Sequence, residues 1–209
     1  MFLSFKKKFI FFHIYKTGGT SIYKSLDRYI DKPNILLKKL AKAGNNQFYK
    51  EILNDILNNG HVNAIDAKDN LPPKIFKNYF KFAFVRNPWD IQVSLYYYTL
   101  KNQKHFQHKM VKDMGSFDKY IEWRVNNEVR LQKDFLYSND TLLVDFVGKI
   151  ENIEEDFKII CKKLNIDDVK LLHKNKSNHK KYHSHYNDRT RKMIEEAYKE
   201  DIKIFNYKY

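Results

Sequence analysis

The sequence predicts an α/β fold of three layers, in which a central, mainly parallel sheet is flanked by helices. Residues 9–14 and 80–86 are runs of aromatic and β-branched residues, which are typical of strands buried on both faces. Each run leads through a short polar loop into a segment with helical periodicity. Repeated strand, loop and helix along one chain favours a parallel sheet.

The first of these repeats contains a loop suited to anions. A strand at 9–14 precedes it, and a helix from Thr20 to about residue 30 follows. The loop combines a lysine, two glycines and three hydroxyl side chains: Lys16, Thr17, Gly18, Gly19, Thr20 and Ser21. Glycines let the backbone turn tightly, and a loop entering a helix N-terminus directs N–H groups at one point. We expect phosphate or sulfate to bind there.

The second repeat has an arginine at the end of its strand. Arg86 closes the run 80–86, and Asn87 and Pro88 are typical of the N-cap and first position of the helix that follows, over residues 88–101. Ser94 lies on that helix. Because ligands of open α/β sheets bind at the carboxyl ends of the strands, we expect a second anion site at Arg86 and Ser94. A ligand with two separated phosphate-like groups would suit both sites.

These segments resemble the sulfotransferases, in particular the carbohydrate O-sulfotransferases. The similar motifs are HIYKTGGTS at 13–21 and FVRNPWD with SLYYY at 84–98, and weaker similarity covers 144–152, 154–157 and 175–182. The resemblance implies a P-loop-like sulfotransferase fold. It also implies transfer of a sulfuryl group from 3′-phosphoadenosine 5′-phosphosulfate (PAPS) to a carbohydrate hydroxyl, with release of adenosine 3′,5′-bisphosphate (PAP).

The resemblance also implies roles for single residues. Lys16 would stabilise the leaving phosphate, and residues 17–21 would hold the 5′-phosphosulfate. Arg86 and Ser94 would bind the 3′-phosphate. One departure from the family is Tyr15, where a proline is usual.

The acceptor hydroxyl needs a general base, and a histidine with a pKa of about 6.5 suits that role. His61 is our candidate, because it follows a glycine in a short strand predicted at 60–65, and this strand resembles the catalytic-histidine segment of some carbohydrate sulfotransferases. His13, inside the first strand, is the alternative, although a structural role suits that position better. His105 and His108 are weaker candidates in a basic segment that we predict to be a mobile substrate loop.

The histidine-rich segment before the last helix admits two interpretations. Residues 179–185 carry histidines at a spacing that could chelate zinc, but no cysteine or carboxylate nearby completes a convincing set, so we expect no metal site. The resemblance instead makes residues 174–182 a loop that closes over the nucleotide, with Lys176 and Ser177 as contacts.

The rest of the chain gives weaker patterns. Residues 33–59 are predicted as helix plus loop, and 141–147 as another buried strand. Further helices are predicted from Ser116, from Asn152 to Leu164 with a capping box, and from Met193 to Ile202. We find no repeat, low-complexity tract or linker, which favours a single domain over residues 1–209.

Composition limits the classes of function. The formal net charge of +14 suits anionic ligands but equally describes a solvated lysine-rich surface. The single cysteine, Cys161, excludes an internal disulfide, and no apolar run reaches the length of a membrane span. We therefore expect a cytoplasmic, bacterial or viral enzyme with no membrane span, whose oligomeric state the sequence leaves open.

Two alternatives to a sulfotransferase remain. A P-loop kinase would need a lysine after the glycines, whereas Lys16 precedes them, and no acidic magnesium ligand stands out. A basic nucleic-acid-binding protein would explain the charge and the many tyrosines, but no motif for RNA or DNA binding is present. An inactive homologue that only binds nucleotide is a third interpretation.

Overall fold

A computed structural model describes residues 1–32, 35, 39, 61–167, 169–172 and 181–209. The chain divides into two compact units: Met1–Val85 with Asp134–Asn175, and Arg86–Lys133 with Lys176–Tyr209. We call them the first and the second unit and describe each by itself. The organisation as a single domain stays a prediction.

The described residues contain six strands: β1 (Phe2–Ser4), β2 (Phe9–Phe12), β3 (Phe80–Val85), β4 (Tyr137–Ser138), β5 (Thr141–Leu142) and β6 (Phe146–Lys149). The main sheet has the order β1-β2-β3-β6, and β4 and β5 form a separate antiparallel pair. β1 is antiparallel to β2, whereas β2, β3 and β6 are parallel. The predicted α/β fold with a mainly parallel sheet is confirmed.

The helices of the described part are α1 (Gly19–Leu26), α2 (Ala64–Asn70), α3 (Pro73–Asn78), α4 (Pro88–Lys101), α5 (His108–Met114), α6 (Phe117–Asn127), α7 (Ile153–Lys163), α8 (Asp188–Ala197) and α9 (Lys199–Ile204). Short 3-10 turns lie at Asp27–Tyr29, Lys133–Phe135, Ile150–Asn152 and Tyr182–His185. Among these helices none is long and apolar enough to cross a bilayer.

The core of the first unit is built on both faces of its sheet. One face carries phenylalanines that pack with α1 and α7, and the cluster includes Phe9, Phe11, Ile22, Leu26, Phe82, Phe84, Phe157 and Ile160. The alternate residues of β2 and β3 point to the other face and are buried too: Ile10, Phe12, Ala83 and Val85. Burial of both faces explains why these strands read as continuous apolar runs rather than as alternating ones.

The second unit is helical, with an aromatic core from α4, α5, α6 and α8. Its buried members are Trp89, Tyr96, Val111, Tyr120, Ile121, Ile194 and Tyr198. Asn87 caps α4 as predicted, because its side chain accepts a hydrogen bond from the Trp89 amide at 3.0 Å. Ser116 likewise caps α6. Helix α4 therefore begins at the predicted residue, Pro88, two residues after Arg86.

The strand predicted at residues 60–65 is wrong where the structure describes it. Residues 64–70 form α2 instead. Ala64 and Ala67 are the buried positions of this helix, and their spacing of three residues is helical rather than alternating. His61 thus lies in the segment that leads into a helix. Residue 60 and the segment 33–59, apart from residues 35 and 39, lie outside the described part.

Three other local predictions need correction. The basic segment 101–114 contains α5, whose Val111 is buried, so most of its C-terminal half is a helix. The strand predicted at 141–147 is interrupted at residues 143–145, and the carboxylate of Asp145 accepts a hydrogen bond from the Lys81 amide at 2.7 Å. Asn152 makes no side-chain cap to α7, whereas Asn187 forms a complete capping box at α8.

Candidate functional site

The loop after β2 is held in a tight turn by its own residues. Lys16 and Gly18 both have positive φ, at 60° and 74°. The Thr17 side chain is buried, and its hydroxyl donates to the Ile14 carbonyl at 2.8 Å. A non-glycine residue in the left-handed region is uncommon, so the conformation of Lys16 is set by the loop around it. The loop therefore presents a half-buried lysine at a defined position.

Helix α1 begins at this loop without a side-chain cap. Gly18 is its N-cap residue, and its carbonyl accepts from the amides of Ser21 at 2.9 Å and Ile22 at 3.2 Å. Because this N-cap residue is a glycine, it has no side chain to accept from the first amides, and the first turn of the helix, all of it within the described residues, contains no acidic residue. The first N–H groups of a helix lack intrahelical partners and carry partial positive charge. This end of α1 is suited to an anion.

Gly19 has no room for a side chain. A Cβ atom at this position would lie 1.8 Å from Cδ2 and 2.0 Å from Nε2 of His13. A Cβ atom at Gly18 would lie 2.4 Å from Cδ1 of Ile150. The glycine pair of the motif is therefore required by packing on both sides of the loop, in addition to the backbone angle at Gly18.

His61 lies beside this loop and is held by a backbone group. Its Nδ1 atom is 2.7 Å from the carbonyl oxygen of His13, and the two imidazole rings are 4.6 Å apart at their centroids. The ring of Tyr15 is 6.5 Å from that of His61. Because a carbonyl can only accept a hydrogen bond, Nδ1 carries the proton and the lone pair of the neutral ring is on Nε2.

His13 is unsuited to the role of general base. Burial, followed by the charge of the neighbouring His61, lowers the pKa of His13 to about 3. A histidine with so low a pKa is a weak proton acceptor at neutral pH. Its ring packs instead between Phe2 and Phe11 and against Gly19. Of the two histidines near the loop, His61 is therefore the better candidate for the base.

In the second unit, Arg86 pairs with the carboxylate of Asp90, which lies one helical turn before Ser94. Nε of Arg86 donates to Oδ2 of Asp90 at 2.8 Å, and both side chains are less than one-fifth exposed, at 14% and 19%. Asp90 and Ser94 are one turn apart on α4 and share a face of that helix. Ser94 is buried. The contact with Asp90 uses one of the several N–H donors of the Arg86 guanidinium.

Two further residues, Gln132 and Asp201, hold Arg86 in place. The backbone N–H and carbonyl of Arg86 both form hydrogen bonds with the side chain of Gln132. The backbone N–H of Gln132 in turn donates to the buried carboxylate of Asp201. These partners are far apart along the chain, and no local pattern links them.

The other predicted site residues have different outcomes. Lys176 and Ser177 lie outside the described residues, and so do two of the histidines before the last helix. His108 packs against α4, since its Nδ1 atom is 3.0 Å from the Thr99 carbonyl, and the ring of His105 stacks on Phe106. In the described part of the chain no group of three or more potential ligands could hold a metal ion.

Comparison with known proteins decides the family. The sequence model of the Sulfotransferase family matches residues 1–208. The chain belongs to this family. An uncharacterized protein of Archaeoglobus fulgidus is 32% identical over 96 residues, which are 44% of this sulfotransferase and 73% of the relative. The crystal structure of mouse sulfotransferase SULT7A1 complexed with PAP is also similar. The alignment covers 96% of this chain and 67% of the mouse chain, with 16% sequence identity and a TM-score of 0.35.

Proposed function

We propose that this sulfotransferase transfers a sulfuryl group from PAPS to a hydroxyl group of a carbohydrate and releases PAP. The observation that carries the proposal is the tight turn of Lys16 and Gly18 that leads directly into α1, whose first turn contains no acidic residue. In a chain of the Sulfotransferase family, a sulfate- or phosphate-bearing ligand is the natural occupant of such a loop.

Two groups of residues would contact the two ends of the nucleotide. In the first unit, residues 17–21 would hold the 5′-phosphosulfate through backbone amides and hydroxyls, and Lys16 would contact the oxygen that bridges phosphate and sulfate. In the second unit, Arg86 and Ser94 would bind the 3′-phosphate. Lys176 and Ser177 would add contacts to the nucleotide.

The chemical step moves one proton and one sulfuryl group. Nε2 of His61 takes the proton of the acceptor hydroxyl while the hydroxyl oxygen forms a bond to sulfur. The bond between sulfur and the 5′-phosphate oxygen breaks, and its electron pair stays on that oxygen. Lys16 and the amides at the start of α1 stabilise the negative charge that develops there, and this stabilisation is a large term in such reactions.

The acceptor class rests on the resemblance of the motifs at 13–21 and 84–98 to carbohydrate O-sulfotransferases. Residues near His61 would bring a sugar hydroxyl to Nε2. A cytoplasmic location and a bacterial or viral source also remain predictions.

A thermal-shift comparison of PAP with ATP, adenosine 5′-monophosphate (AMP) and inorganic sulfate tests the proposal. A ligand at 100 times its dissociation constant stabilises the folded state by about 2.7 kcal/mol. We expect the largest shift with PAP, followed by detection of a sulfated product when PAPS and a panel of glycans are supplied. Equal shifts with all four ligands, or a larger shift with ATP, would contradict PAPS as the donor.

A further inference from the structure

The backbone of Arg86 is held on both sides by a single side chain. The Arg86 amide donates to Oε1 of Gln132 at 2.8 Å, and Nε2 of Gln132 donates to the Arg86 carbonyl at 2.8 Å. Strand β3 ends one residue earlier, at Val85. The carboxamide of Gln132 thus pairs with Arg86 as a neighbouring strand residue would, at the point where the ladder of the sheet stops.

A buried carboxylate fixes the orientation of that carboxamide. Oδ2 of Asp201 accepts hydrogen bonds from the backbone N–H of Gln132 at 2.8 Å and from Nε2 of the Gln132 side chain at 3.4 Å. Oδ1 of Asp201 accepts from the backbone N–H of Lys133 at 2.9 Å. Asp201 has no exposed surface, and Gln132 is 1% exposed. A carboxylate only accepts hydrogen bonds, so Nε2 of Gln132 must face it and Oε1 must face the Arg86 amide.

The guanidinium of Arg86 is held independently by Asp90. Backbone and side chain are therefore both constrained by the protein itself. A cation that is already oriented loses little conformational freedom when an anion binds, which raises the affinity. Arg86 has the properties of a preorganised ligand-binding residue.

We propose that Gln132 and Asp201 are positioning residues for the 3′-phosphate of the nucleotide, because together they fix the backbone from which the Arg86 side chain extends. This inference rests on the proposed function, in which Arg86 binds that phosphate. Gln132 and Asp201 do not contact the nucleotide and act through Arg86.

A structural role alone would make a different prediction. Loss of two buried hydrogen bonds would lower the free energy of unfolding and would affect all ligands alike. A positioning role lowers affinity only for ligands that carry the 3′-phosphate. The informative quantity is the preference for PAP over AMP, which lacks that phosphate, and a general loss of stability does not change this ratio.

The experiment measures dissociation constants of PAP and AMP by calorimetry for the wild type and for Arg86→Ala, Gln132→Met and Gln92→Met. Gln92 is a matched control, since it is a fully buried glutamine of the same unit whose amide nitrogen has no partner within the described residues. We expect Gln132→Met to reduce the PAP preference about tenfold, the factor that corresponds to about 1.4 kcal/mol. Gln92→Met should leave the preference unchanged.

A second variant, Asp201→Asn, tests the inference if Gln132→Met does not fold. Asp201→Asn keeps the shape but turns one acceptor into a donor that faces a backbone N–H group, so it should shift Gln132 and reduce the PAP preference in the same direction. Folded variants at both positions that keep the wild-type preference within about twofold would overturn the inference.

The same experiment also tests the proposed function, through the PAP preference of the wild type and of Arg86→Ala. A wild type without any PAP preference, or Arg86→Ala with the preference intact, would show that Arg86 does not bind the 3′-phosphate. Either result would overturn the inference together with that part of the proposed function. An effect of Arg86→Ala without an effect at Gln132 or Asp201 would overturn the inference alone.

Discussion

Nδ1 of His61 lies 2.7 Å from the carbonyl oxygen of His13. This hydrogen bond selects the tautomer that has its lone pair on Nε2, and it does so through a backbone group that no substitution of the His13 side chain removes. The side chain of His13 also packs on Gly19. His13 therefore links the proposed base to the loop that we propose as the binding site of the sulfate donor.

The first prediction concerns His61. His61→Ala should lower turnover by about 10²- to 10⁴-fold, the usual contribution of a general base, and should leave the dissociation constant of PAP unchanged. Product formation from PAPS and calorimetry with PAP measure the two quantities. His108→Ala is the control, because the His108 ring also contacts a backbone carbonyl, that of Thr99, and was a weaker candidate for the base. Full activity of His61→Ala would remove His61 from the mechanism.

The second prediction concerns the pH dependence of stability. Burial lowers the pKa of His13 from 6.5 to about 3, so between these values the unfolded chain binds a proton that the folded chain does not. Stability from this group is fully present above pH 6.5 and falls as the pH drops toward 3. The slope is at most about 1.4 kcal/mol per pH unit.

Urea unfolding of the wild type and of His13→Gln at several pH values measures this slope. The pH values run from about 7, just above the ordinary histidine pKa of about 6.5, down to about 4. Loss of packing lowers the stability of the variant at every pH, so the slopes are compared rather than the absolute values. We expect a shallower slope for His13→Gln. Identical slopes would mean that His13 titrates normally in the folded chain.

The third prediction compares two glycines. Gly19→Ala would place a Cβ atom 1.8 Å from the His13 ring, so the ring or the loop must move. Overpacking of this kind costs about 1–3 kcal/mol. We expect lower stability together with weaker PAP binding, measured by urea unfolding and by calorimetry.

Gly115→Ala separates the two effects. Gly115 has φ of +73°, so alanine is strained there, but within the described part of the chain no atom beyond the neighbouring backbone lies within 4 Å of the added Cβ atom. The strain costs about 1–2 kcal/mol. Stability should fall while PAP binding stays at the wild-type value. A Gly19→Ala variant that binds PAP normally would contradict the role of this loop.

Local sequence signals predicted much of the secondary structure around the candidate site. The apolar runs gave β2 and β3, and Asn87 and Pro88 marked the start of α4, because capping and strand burial depend on residues close together in the chain. The glycine pair was predicted to allow a tight turn, and the structure adds the packing of His13 on Gly19.

Other features lie beyond such signals. Helices α2 and α5 are each only seven residues long and carry many polar side chains, so their buried positions are too few to reveal a period. Strand β1 has three residues and is stabilised by pairing with β2 rather than by its own pattern. The contacts of Gln132 with Arg86 and Asp201 join distant parts of the chain, and only the tertiary structure brings them together.

The account depends most on the assignment of the 5′-phosphate to the loop of Lys16 and of the 3′-phosphate to Arg86. Binding of PAP, adenosine 5′-monophosphate and adenosine 3′-monophosphate to Lys16→Ala and Arg86→Ala tests it directly, with Lys24→Ala, an exposed lysine of α1, as control. Lys16→Ala should weaken PAP and the 5′-monophosphate and spare the 3′-monophosphate, and Arg86→Ala should do the reverse for the two monophosphates. If both variants weaken the same monophosphate, or neither changes the affinity for PAP, the two residues do not bind opposite ends of one nucleotide.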